Sequence, residues 1–240
     1  MALPKLNDTP KYDIVIPSTK TKTRFRPYLV KEEKVLLLAV EDGDEDKITK
    51  ATIDLIKACV DLDVNEKDLT TYDMDYLFCQ IRAKSVGETV NMVIRCEDEA
   101  CDHQTEVKID LSKVGVDLAD KVNNMIELTA EVSVEMKHIS YYDILDVRKN
   151  AEKNPEVNTT FETILKSIKA VHTADERIDV KDEPREVVEE FVDNLTSKQY
   201  KKISDFVLNT PSVTYDVDWD CGGCGKHQRM RLAGLQDFFL

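Results

Sequence analysis

Val213-Thr214-Tyr215-Asp216-Val217-Asp218-Trp219 leads into Cys221-Gly222-Gly223-Cys224, and His227-Gln228-Arg229-Met230-Arg231-Leu232 leads out of it. Alternation on both sides of a short turn reads as a β-hairpin with two cysteines at its tip. Gly222, Gly223 and Gly225 suit a tight turn whose amides approach the sulfurs. The plan occurs once more upstream. Val90-Asn91-Met92-Val93-Ile94-Arg95 enters the pair Cys96-x4-Cys101, and His103-Gln104-Thr105-Glu106-Val107-Lys108-Ile109 leaves it. Together the two knuckles can supply four thiolates, from Cys96, Cys101, Cys221 and Cys224, to one tetrahedral zinc. A shared metal would join two remote stretches and fix the long-range topology of the chain.

His103 and His227 each follow a cysteine pair closely, so either can replace a thiolate or serve as a hydrogen-bonding neighbour of the metal. With four protein ligands the coordination shell is closed, no position is left for a catalytic water, and the zinc is structural. Cys-Gly-Gly-Cys also fits a thiol-disulfide exchange motif. Such a motif normally opens a helix in a βαβ unit, whereas this pair lies between two strands. Cys59 and Cys79 fall on or beside apolar helical faces and read as small core residues. His138 and His172 read as ordinary, partly buried residues.

With 240 residues, the chain does not need a metal merely because it is small. The longest unbroken apolar run, Val35 to Val40, is too short to span a bilayer, and the first residues lack the apolar stretch of a signal peptide. These features predict a soluble protein made in a reducing cytosol, where clustered cysteines favour metal over disulfides. A formal net charge of −14 opposes non-specific binding to phosphate backbones, and the basic residues are dispersed among acidic helices. No phosphate-binding or dinucleotide glycine loop, Gly-x-Ser-x-Gly elbow or His-Glu-x-x-His helix is present, so no enzyme is expected. The acidic runs Glu41 to Asp46 and Glu97 to Glu99 lack a calcium-loop pattern and read as solvated turns.

Elsewhere the periodicity predicts an N-terminal hairpin over Tyr12–Pro17 and Thr23–Tyr28, its second strand an edge or ended by Pro27. Helices come next, from Val30 to Glu41, closed by Gly43, from Asp44 to about Val60, and from Thr71 to Ala83. Leu128 to Lys137 alternates as a strand. Further helices start at Ser140 and at a Thr159/Glu162 capping box, the latter carrying Phe161, Ile164, Leu165, Ile168 and Val171. Two more begin at Pro184 and at a Thr196/Gln199 capping box, and are expected to pair antiparallel.

The expected fold is α+β, mainly helical, with an N-terminal β-hairpin and a zinc-ribbon-like pair of β-knuckles. Its parts are residues 1–87, a hairpin plus helical region; 88–110 with 213–233, the zinc-ribbon-like module; 111–212, a mainly helical middle packed between the knuckles; and 234–240, a docking tail. That tail, with Phe238, Phe239 and Leu240, is too apolar to be left in solvent and is expected to contact a partner, its own subunit being the alternative. The edge-like N-terminal hairpin is a second place for docking, by strand addition.

The opening Leu3-Pro4-Lys5, then Tyr12 to Ser18, Phe25-Arg26-Pro27-Tyr28-Leu29-Val30-Lys31-Glu32-Glu33-Lys34, the paired knuckles and Gly234-Leu235-Gln236-Asp237-Phe238-Phe239 resemble the T4-type bacteriophage baseplate hub assembly proteins. The resemblance spans most of the chain. It implies a structural or assembly factor of a contractile tail, acting in the cytoplasm of the infected host, with retention in the virion tail baseplate left open. Its partners would be other baseplate hub and wedge proteins, with no nucleic acid, membrane or small-molecule substrate. The resemblance transfers no catalytic residue. A zinc-ribbon regulator of nucleic acid and a thiol oxidoreductase are the competing readings.

Overall fold

The computed structural model describes residues 9–62, 65–118, 123–153 and 158–239. The chain divides into two compact units, one of Met1–Glu66, Tyr72–Asp117 and Ser212–Leu240, the other of Lys67–Thr71 and Leu118–Pro211. Among the described residues there are eight α-helices and four antiparallel sheets, a mixed α+β architecture.

In the first unit, β1 (Tyr12–Val15) and β2 (Lys22–Phe25) form the expected hairpin. Its turn is tied down by Ser18, whose amide and hydroxyl both donate to the carboxylate of buried Asp73. The outer edge of β2 is not open for strand addition. The Arg26 amide donates to the Cys59 carbonyl at 2.9 Å, the Asp61 amide donates to the Arg24 carbonyl at 2.8 Å, and Phe25 bridges to Val60. The chain thus covers its own edge, the common remedy for an unpaired strand. Next, α1 (Val30–Asp42) ends at Gly43, whose left-handed φ of 69° suits the only residue without a Cβ. The Asp44 side chain then accepts from the amides of Asp46 and Lys47 and starts α2 (Glu45–Cys59). α3 (Thr71–Ser85) buries Met74, Leu77, Phe78, Cys79 and Ile81.

The first knuckle comes after α3 as β3 (Thr89–Arg95) and β4 (Gln104–Asp110), paired over their full lengths, and then the short β5 (Gly115–Val116).

The second unit is less helical than expected. It holds the four-stranded sheet β6-β7-β8-β9, made of β6 (Met125–Glu127), β7 (Ser133–Met136), β8 (Ile168–His172) and β9 (Arg177–Asp179). Four helices accompany it: α4 (Tyr141–Lys153), α5 (Thr159–Ser167), α6 (Arg185–Asp193) and α7 (Ser197–Leu208). Of the strand expected over Leu128–Lys137 only Ser133–Met136 is strand: the Leu128 amide donates to the Val132 carbonyl, so the segment begins with the turn of a hairpin whose first strand is β6. The helix expected to run through Ile168 and Val171 stops at Ser167, and those two residues lie in β8. Asn158, not a Thr159/Glu162 box, caps α5 by accepting from the amides of Thr160 and Phe161, and Glu162 is paired with Arg185. The capping box of Thr196 and Gln199 is present. α6 and α7, expected to pair with each other, both pack on α5. Val134, Met136, Ile164, Ile168, Val192 and Ile203 form the core of this unit. His138 stacks on Phe206 at 4.6 Å, and His172 lies beside Glu135.

The last strands belong to the first unit again. β10 (Val213–Asp220) pairs with β5 on one side and β11 (His227–Ala233) on the other, and α8 (Leu235–Phe239) closes the chain. Ile94, Ile109, Leu111, Val213, Val217, Trp219 and Leu232 from both hairpins share one buried cluster with Cys79 of α3. That cluster brings the two hairpins side by side.

Candidate metal centre

Both tips are built alike. The Cys96 amide donates to the His103 carbonyl at 2.8 Å and the Cys221 amide to the Lys226 carbonyl at 3.0 Å, so each pair of strands is locked just where its first cysteine begins the turn. The Asp98 carbonyl accepts from the Cys101 amide and its carboxylate from the Ala100 amide, while the Cys221 carbonyl accepts from the Gly225 amide at 2.8 Å. The two tips are also tied to each other. The Gly222 amide donates to Thr105 Oγ1 at 3.2 Å, the Glu97 amide donates to Gln228 Oε1 at 3.2 Å, and Lys226 pairs with Asp98. The acidic run Glu97 to Glu99 therefore belongs to the turn.

This scaffold brings the four sulfurs of Cys96, Cys101, Cys221 and Cys224 within 4.8 Å of one another. Cys96 and Cys224 are 3.8 Å apart at Sγ, and Cys101 and Cys221 3.7 Å. No pair is bonded as a disulfide. A tetrahedron with metal–sulfur distances of about 2.3 Å has edges of about 3.8 Å. The donor set and its spacing therefore fit one thiophilic divalent ion.

Ionisation is uneven across the cluster. The amides of Cys224 and Gly223 bring the Cys221 thiol down to about 6. At Cys101 the His103 amide favours the thiolate, but burial and the thiols of Cys221, Cys224 and Cys96 outweigh it and push the group up to about 12. A bound divalent cation favours the thiolate at each of its ligands.

One contributor escaped the sequence reading. Gln228 is buried on the inward face of β11, its Nε2 donating to Cys96 Sγ at 2.9 Å while its Oε1 accepts from Glu97. The side-chain amide thus steadies a sulfur and a turn at once. Neither histidine joins the sulfurs. His103 lies against the glycine turn, where a Cβ placed on Gly223 would meet His103 Cβ at 2.7 Å and one on Gly222 would meet His103 Nε2 at 3.0 Å. His227 is exposed, with Nδ1 3.0 Å from Asp220 Oδ1. It ends a cross-strand ladder in which Asp216, Asp218 and Asp220 of β10 face Arg231, Arg229 and His227 of β11. Arg231 grips Asp216 with two hydrogen bonds of 2.9 and 3.2 Å.

Phe238, expected at a partner contact, is enclosed by its own unit. It is buried in the same core as Trp219 and Leu232, and α8 is anchored by the Ala233 amide donating to Asp237. The tail closes on its own unit because burying the ring there removes it from water without a second protein. The Phe239 side chain and Leu240, also expected at a partner contact, lie outside the described residues.

Fold and site define a mixed α+β protein in which two remote hairpins close around four free cysteines. Residues 9–240 match the family described as T4 bacteriophage base plate protein, and the chain belongs to that family. Comparison with curated proteins and with solved structures gave no match. Membership carries a structural role in a phage baseplate and association with other phage proteins. Among the described residues no helix is long and apolar enough to cross a membrane.

Proposed function

We propose that this chain is a non-enzymatic structural or assembly protein of the hub of a contractile-tail baseplate. One structural zinc, held by Cys96, Cys101, Cys221 and Cys224, would join its two knuckles into a zinc-ribbon-like module. The observation that carries the zinc reading is the convergence of four sulfurs, from opposite ends of a 128-residue separation, at the edge length of a zinc–thiolate tetrahedron. Family membership carries the baseplate reading. Four protein ligands complete the shell, so the ion would fix structure and leave no position for water. Thiol-exchange chemistry has less support, because Cys221 stands at a hairpin tip and not at the start of a helix. Nucleic-acid binding also has less support, since the arginines of β11 face aspartates across the hairpin. The protein would act in the host cytoplasm while the hub is built, in contact with hub and wedge proteins.

Two measurements on one preparation test the proposal. Elemental analysis of protein purified under reducing conditions should give one zinc per chain, with X-ray absorption showing a four-sulfur shell; substoichiometric metal would overturn the zinc assignment. Affinity purification from infected cells, read by mass spectrometry, should recover hub proteins. Recovery of no tail protein would overturn the assembly role.

A further inference from the structure

The second half of α1 is an unbroken apolar run, Val35 to Val40. Ala39 is the helix's buried residue, whereas Val30, Val35, Leu37, Leu38 and Val40 are exposed, Leu38 by 65% and Val30 by 64%. Scattered apolar side chains on a surface need no explanation, but exposed Val35 and Leu38 stand together in the lining of one groove beside Ala51 of α2. α1 packs on α2. Where they meet lies a groove of about 620 Å³, with Val35, Leu38, Ala39 and Ala51 as its apolar lining and three carboxylates against two lysines, Lys47 and Lys50, as its charged lining; Lys47 is paired with Asp42.

The charge around this groove is lopsided. From Val30 to Cys59 there are eight carboxylates and five lysines, and Glu41, Asp42, Asp44, Glu45 and Asp46 crowd the α1–α2 turn at one end. We propose that the groove receives one amphipathic helix of a protein partner, with an apolar stripe against Val35 and Leu38 and lysine or arginine residues at the end seated by the acidic turn. This is the helix-in-groove mode of recognition, with charge fixing the direction of the guest. A second copy of the chain fits less well. Two copies would bring together two chains of net charge −14. The inference depends neither on the metal nor on the assignment to the hub.

The test is fluorescence anisotropy of the full-length protein with two synthetic helical peptides. Both carry the same leucine stripe at i, i+3, i+4 and i+7, one flanked by lysines and the other by glutamates. The lysine peptide should bind at least about tenfold more tightly than the glutamate peptide. Leu38→Ser should weaken it about tenfold while circular dichroism and melting stay unchanged, because Leu38 is exposed; Val35→Ser, exposed on the same groove, serves if that variant misfolds. Glu41→Lys should narrow the gap between the two peptides. Absence of binding, equal binding of both peptides, or indifference to Leu38→Ser would each overturn the proposal. So would a dimer in sedimentation velocity that Leu38→Ser dissociates, which would give the face to a second copy.

Discussion

At the scale of single residues, Gln228 and Gly223 show how closely the turns are fitted around the sulfurs. Gln228→Leu keeps the bulk and removes the donor to Cys96. It should weaken zinc binding about 10- to 100-fold with the fold retained, as read by competition with a chromogenic chelator. Unchanged affinity would separate Gln228 from the centre. Gly223→Ala places a methyl group 2.7 Å from His103 Cβ and 3.2 Å from Cys101 Sγ, and should cost about 1–3 kcal/mol in urea unfolding. Adding His103→Gly removes both clashing carbons, Cβ and Cγ at 2.7 and 2.8 Å, and should restore more of the loss than His103→Ala, which removes only Cγ. The cysteines were legible in the sequence because ligand spacing within a turn is local. Gln228 was not, because its sulfur lies on the other hairpin. Its one trace was a polar residue on the inward side of an alternating strand whose next inward positions are Met230 and Leu232.

At the scale of elements, caps and strand pairs decide where segments begin and end. Thr196→Ala removes the hydroxyl that accepts from the Gln199 amide and should lower stability by about 1 kcal/mol, measured as a shift in the urea midpoint. In the second unit's sheet, Glu135 of β7 faces Lys169, His172 and Arg177, and these partners, Lys169 foremost, hold its carboxyl down to about 2 against the usual 4.5. A depressed carboxylate stabilises the fold fully above its unfolded value and loses that contribution as pH falls through its folded value. Wild type should therefore exceed Glu135→Gln in stability above about pH 4.5, and the two should converge on acidification toward pH 2, as tracked by urea midpoints across that range. A gap that persists undiminished at pH 2 would show that the carboxylate's charge is not its source. Helix ends with side-chain caps or a closing glycine, such as those at Gly43, Asp44 and Thr196, were readable in advance. The β8 strand was not. Ile164, Leu165, Ile168 and Val171 keep helical spacing straight through the boundary, and the helix gives way because the Lys137 amide donates to the Ser167 carbonyl and β7 pairs with Ile168–His172. Pairing with a segment some 30 residues away leaves no mark on local periodicity.

At the scale of the whole molecule, each unit has its own buried core, and the second lies in one nearly continuous stretch, Leu118–Pro211 with the short Lys67–Thr71. Both knuckles belong to the first unit. Chelation should therefore lower the unfolding temperature of one calorimetric transition and leave a second in place; a single transition shifting as a whole would mean the two cores melt together. The sequence made the knuckle partnership readable but not this division, since the strands that organise the second unit are short and lie among helical patterns. The chain leaves the first unit and returns to it at neighbouring points, with Val116 paired to Val213 and the Asp117 amide bonded to the Ser212 carbonyl. Cys101 and Cys221 are 120 residues apart along the chain. On a translating ribosome adding roughly 5–20 residues per second, the upstream thiols emerge about 6–24 seconds before their downstream mates. During that interval the nascent protein carries half a chelate, and oxidants or chaperones reach those sulfurs first.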